Sequence, residues 1–78
     1  MNYADGLLVE PGDFVVLDGT DRGRVVASID TGKYLSGHDG WAYLREGIMV
    51  DMDFAGLVHY TAQTIGTIAL LERKAASN

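Results

Sequence analysis

Ten glycines divide this chain of 78 residues into short segments, at positions 6, 12, 19, 23, 32, 37, 40, 47, 56 and 66. An interior glycine costs a helix about 1 kcal/mol relative to Ala, so this spacing is hostile to long helices. Between the glycines lie β-branched and aromatic runs, the pattern of an antiparallel β domain. There is no Cys, which excludes disulfide staples and thiolate metal sites. A domain of this length buries only about 60% of the surface its unfolded chain exposes, so its stability must come from an economical apolar core. Hydrophobic residues make up 47% of the chain and can supply one.

Pro11-Gly12 predicts a turn that launches a strand over residues 13–18, and Val25, Ala27 and Ile29 alternate along a second strand over 24–30. Gly23 is expected to take a positive φ in the hairpin between them. Residues 31–40 read as a long loop, and 41–46 as a short helical turn ended by Gly47. A second hairpin follows, with Ile48, Val50 and Met52 on one face and Met49, Asp51 and Asp53 on the other. Which of these faces is buried is left open. Asp53-Phe54-Ala55-Gly56 fits a type I turn, and residues 57–60 return. Residues 66–75 suit either a closing strand or a short helix, which periodicity does not separate.

The resulting expectation is a single all-β domain over residues 1–78. It is a small five-stranded barrel or rolled antiparallel sheet with one short helical turn, frayed at 1–6 and 74–78. Its expected core is Phe14, Val16, Val25, Ala27, Ile29, Ile48, Val50, Val58, Ile68 and Leu70. Residues 11–30 resemble the opening hairpin of SH3-like barrels of the KOW type, on Gly12-Asp13, Val15-Val16, Gly19 and Gly23-Arg24-Val25. That resemblance implies a small β-barrel. KOW modules contact RNA or ribosomal and polymerase surfaces through basic residues that this chain lacks, so the barrel is carried over and the function is not.

The chain has eleven acids and six bases, a formal charge of −5, and residues 5–21 hold five acids and no base. Nucleic-acid affinity comes largely from neutralising phosphates, so this balance argues against it and favours a partner with a basic face. The lack of Cys favours a reducing compartment, the cytoplasm. The N-terminus has neither the basic nor the apolar region of a signal peptide, and no apolar run is long enough to span a bilayer.

Asp51 and Asp53 lie on one strand face with Glu46 and His59 nearby, which could suggest acid–base or metal chemistry. A solvated strand face is the simpler reading, and His38 and His59 without further ligands do not make a zinc site. Catalysis, metal and cofactors are therefore not expected. The residues left to interact are the aromatics Tyr34, Trp41, Tyr43 and Phe54 and the acids Glu46, Asp51 and Asp53. Trp41 could equally plug one end of the barrel. Together they point to a non-catalytic protein-binding module, an immunity-type inhibitor or an adaptor for a basic partner. Met49, beside the acids, offers an apolar patch for a homodimer instead. The alternative function is nucleic-acid binding through Arg22, Arg24 and Lys33 around the first hairpin.

Overall fold

A computed structural model describes residues 1–66 and 68–73. Among these residues six strands follow one another: β1 (Phe14–Leu17), β2 (Asp21–Ser28), β3 (Lys33–Tyr34), β4 (Ile48–Met52), β5 (Gly56–Tyr60) and β6 (Ile68–Glu72). A 3₁₀ helix at Asp39–Leu44 lies between β3 and β4. The chain is all-β, with the single short helical turn expected, and β3 is one strand more than the sequence suggested. Every strand pairing is antiparallel. The order across the sheet is β5-β4-β2-β1-β6, with β3 beside the end of β2. The domain measures 29 × 29 × 26 Å. No ladder among the described residues joins β5 to β6.

The centre of the sheet is β2, and its course is set by a bulge. Val25 opposes Val50 on β4 and Ala27 opposes Met49, which leaves Val26 as an extra residue. The strict alternation expected for β2 therefore breaks. Val25 joins the main cluster with Tyr3, Val9, Val15, Ile48, Val50, Met52, Tyr60 and Ile68. Val26 and Ala27 turn with Ile29 and Met49 into a second cluster, covered by Tyr34, Leu35, Trp41 and Leu44. One strand thus serves two cores on opposite faces. Burying an aliphatic side chain contributes about 1.5–3 kcal/mol, so both clusters matter to a small domain.

Several expected details change for physical reasons. Val15 is buried on β1, while Phe14 and Val16 are half-buried on the opposite face; a run of four apolar residues carries no alternation to reveal this. Val58 and Leu70 are half-buried as well. Met49 is buried in the second cluster, which removes it as an exposed self-association patch. Gly23 lies inside β2 rather than in a turn, and the positive φ values belong to Asp18 and Gly19. A Cβ at Gly23 would sit 2.5 Å from the Met52 sulfur and 3.0 Å from the Asp51 carbonyl oxygen, so glycine is needed for the close approach of β4. The second hairpin turns one residue earlier than expected: Ala55 N–H donates to the Met52 carbonyl (3.3 Å) and Gly56 takes the left-handed φ of 75°. Residues 68–72 are strand, not helix, while the expected continuation to 75 and the frayed tail at 74–78 lie outside the described residues.

The opening residues, expected to fray, dock onto the sheet through a polar clasp. Tyr3 is buried, and Asn2 bridges Leu8. Asp13 is 1% exposed and accepts hydrogen bonds from the Tyr3 hydroxyl (2.7 Å), the Glu10 amide (3.0 Å) and Arg73 Nε and Nη2 (2.8 and 2.9 Å). Arg73 also donates to the Leu8 carbonyl (2.8 Å). Burial by itself would raise the Asp13 pKa, but the Arg73 and Tyr3 hydrogen bonds and the Glu10 N–H outweigh it and hold the group below its ordinary value of 3.8. Burial and the bond to Asp13 push the Tyr3 hydroxyl the other way, so it stays protonated.

Gly23→Ala should lower stability by about 1–3 kcal/mol in urea unfolding, through overpacking against β4. Arg73→Ala should cost about 2 kcal/mol, less than a fully buried pair, because Arg73 is 38% exposed. Asp13 has its lower pKa in the folded state. Its contribution is therefore complete above the ordinary value of 3.8 and fades as pH falls through the folded-state value. Asp13→Asn should remove that part of the acid dependence of Tm, measured by calorimetry between neutral pH and the acid range.

Candidate binding face and strand edge

The bulge divides the outer face of the sheet. The half next to Ala27 and Met49 lies under the segment from β3 to the 3₁₀ helix, and the other half is open. Strand register builds the open half as a row. Glu72 on β6 opposes Phe14 on β1, Phe14 opposes Arg24 on β2, Arg24 opposes Asp51 on β4, and Asp51 opposes Leu57 on β5. Directly opposed residues share a face, so acid, ring, base, acid and apolar side chain lie side by side. A second row, Ala69, Val16 and Arg22, runs beside it.

A shallow groove of about 460 Å³ follows these rows, lined by Phe14, Arg22, Arg24, Asp51, Asp53, Leu71 and Glu72 among others. The Arg24 guanidinium carbon sits 5.5 Å from the centre of the Phe14 ring, within cation–π range. The ring holds the cation over the sheet and leaves its edge free to accept further partners. Asp53 N–H donates to the Arg22 carbonyl (2.8 Å), which fastens the tip of the second hairpin to β2.

The structure therefore unites two residue sets that the sequence kept apart. Asp51 and Asp53, expected to meet a protein, share one face with Arg22 and Arg24, expected to meet nucleic acid. Three acids against two arginines make the face mixed rather than purely acidic. Lys33 is elsewhere, on β3, with its ammonium 3.5 Å from Glu10. Glu46 precedes β4 while Asp51 and Asp53 are at its far end, about 17 Å away along an extended strand. His59 is beside Glu46, not beside the aspartates: its Nε2–H donates to the Glu46 carbonyl (2.8 Å). Among the described residues no three His, Asp or Glu side chains are placed to hold a metal ion.

The aromatics separate into two groups. Tyr34 and Trp41 pack on the second cluster, and Trp41 Nε1–H donates to His38 Nδ1 (3.3 Å). Tyr43 is 71% exposed with its ring 6.5 Å from that of Trp41, and Phe54 is 59% exposed at the hairpin tip. Leu57, 44% exposed, and Leu71 are open apolar residues that sequence reasoning missed. The expected turn at 53–56 would set Leu57 opposite Met52 on the buried face; the earlier turn sets it opposite Asp51 on the outer face instead. Leu57 also borders a second groove of about 370 Å³, together with Gly37, His38, Gly40 and Trp41.

Comparison with protein-family models, with curated proteins and with solved structures finds no match.

Trp41→Ala should lower stability by about 3 kcal/mol, because it uncovers the second cluster. Tyr43→Ala and Phe54→Ala should each stay within about 0.5 kcal/mol of the parent. Chemical denaturation of the three variants checks this division between scaffold and surface aromatics.

Proposed function

We propose that the protein is a non-catalytic binding module that acts in the cytoplasm on a protein partner with a basic surface. The observation that carries this reading is the open row Glu72–Phe14–Arg24–Asp51–Leu57, a preorganised sheet face on which apolar and charged groups alternate. Interfaces draw energy from aromatic and apolar anchors and specificity from the charges around them. Phe14, Leu57, Leu71 and the exposed Phe54 serve as anchors, with Asp51, Asp53 and Glu72 as the charges that select a basic partner.

The distribution of charge supports the sign of the partner. Among the described residues, Arg73 is paired with the buried Asp13 and Lys33 with Glu10. Of the eleven acids, Asp13 is the one in the buried class. Each of these pairs is neutral, so the remaining nine acids and four bases leave the full formal charge of −5 on the rest of the domain. Such a field steers a basic partner into encounter and repels phosphates. An inhibitor of a basic toxin or enzyme, or an acidic adaptor, uses these features directly. A small SH3-like barrel is the fold reading that accompanies the proposal, through the hairpin of residues 11–30. No helix of the described chain is long and apolar enough to cross a membrane.

Tagged protein recovered from its native host at low and at high salt should retain one stoichiometric basic protein, identified by mass spectrometry. Replacing Asp51 and Asp53 together by Lys should weaken that complex by about 10- to 100-fold. Recovery of nucleic acid that high salt removes would contradict the reading and favour Arg22 and Arg24 as phosphate contacts.

A further inference from the structure

The outer edge of β5 is the second unfilled feature of the fold. Strand β5 pairs with β4 on one side only, and among the described residues no backbone hydrogen bond joins Leu57, Val58 or His59 to any segment beyond β4. An antiparallel ladder uses the N–H and C=O groups of alternate residues, so the remaining groups of β5 point outward. Natural edges are blunted by charged residues, Pro or bulges. Residues 56–60 read Gly-Leu-Val-His-Tyr, with no such charge and no Pro, and the β4–β5 register runs without a bulge. The edge has the properties of a template for another strand.

The surroundings define what that strand must be. Leu57 and His59 share the outer face with Asp51 and Met49, their partners on β4. Beside Leu57 runs the groove bounded by Trp41, His38 and the glycines 37 and 40. A strand laid along β5 would direct alternate side chains over this groove, whose Trp41 and Leu57 walls suit an apolar group. Acids lie around the edge on both faces. Asp51 opposes Leu57, Asp53 lies in the turn into β5, and the main-chain carbonyl of Glu46 accepts from His59, which puts that residue next to the strand. Asp39, exposed, lies between His38 and Gly40 in the sequence, two residues that line the groove. On the inner side the charges of Asp18 and Asp21 are close enough to Tyr60 to help burial raise its pKa.

We infer that the edge of β5 receives an extended basic segment of the partner, which adds a strand to the sheet and sets an apolar side chain in the groove between Trp41 and Leu57. This rests on the proposed function and specifies its mode of contact. Charge complementarity selects the occupant. A second copy pairing through its own β5 would set two chains of net charge −5 edge to edge, whereas Lys or Arg side chains on an added strand meet opposite charge. Main-chain hydrogen bonds would supply affinity, with the groove and acids supplying selectivity.

The test uses a capped synthetic peptide of about nine residues that alternates Lys with Leu or Val. It is compared with the same peptide N-methylated at its central amides, which removes the donors an added strand needs. Binding is followed by calorimetry, and β5 amides by hydrogen exchange. The inference predicts saturable binding, slower exchange at alternate β5 amides, and about tenfold weaker binding on N-methylation or with Leu57→Lys. Asp51→Asn with Asp53→Asn should weaken binding less and flatten its salt dependence. Equal binding of both peptides with unchanged β5 exchange would overturn the strand-addition inference and leave the acidic-face reading intact. Binding of neither peptide would overturn both. Protection of β5 without peptide that grows with protein concentration would overturn the inference in favour of a second copy.

Discussion

The bulge at Val26 is the constraint from which the rest of the arrangement follows. A sheet of short strands can bury one face completely, but a chain this small cannot cover the other face throughout. By adding one residue between Val25 and Ala27, β2 sends Val25 to the main core and both Val26 and Ala27 to the opposite face. The second cluster then forms at one end of the outer face, with β3, Leu35, Trp41 and Leu44 drawn over it. The other end, where Arg24 and Asp51 stand in register, is left to solvent. The exposed face is thus a consequence of where the bulge falls.

Rigidity at that face is secured from below and from both chain ends of the sheet. Gly23 lets β4 approach β2 closely, which brings Asp51 and Asp53 beside Arg22 and Arg24. The Asp13 clasp joins the opening arm, the start of β1 and the residue following β6, so the edge opposite β5 is tied down by side chains. Buried carboxylates are costly when unpaired, and Asp13 avoids that cost with donors from three segments. Among the described residues, strand β5 has no comparable cover on its outer edge. The asymmetry between a tied edge and an open one is what makes β5 the place for a partner strand.

Much of this was legible before the fold was known, and the failures have identifiable causes. Glycine spacing and β-branched runs identified an all-β chain, both hairpins and the short helical turn at 39–44 in approximate position. The alternation of Ile48, Val50 and Met52 against Met49 and Asp51 was correct, but Met49 is covered by a segment distant in sequence, which a local pattern does not contain. The apolar run Phe14-Val15-Val16-Leu17 has no period, so its inward face could not be read. The bulge is a property of pairing between β2 and β4, and Gly23 looked like a turn residue because local chemistry cannot distinguish a turn from a close approach. Asp13 and Arg73 are sixty positions apart, and neither carries a local signal of the other. For the site, Asp51, Asp53, Arg22 and Arg24 were all singled out; what sequence could not show was that register places them on one face.

Binding at β5 requires an open edge beside an acidic face, and amide hydrogen exchange of the free protein measures that most directly. The prediction is slow exchange along β2, which is paired on both sides, and an alternating pattern on β5, with amides directed at β4 slow and their neighbours fast. Uniform protection along residues 56–60 at low protein concentration would contradict it, because the edge would then already be paired and closed to a partner.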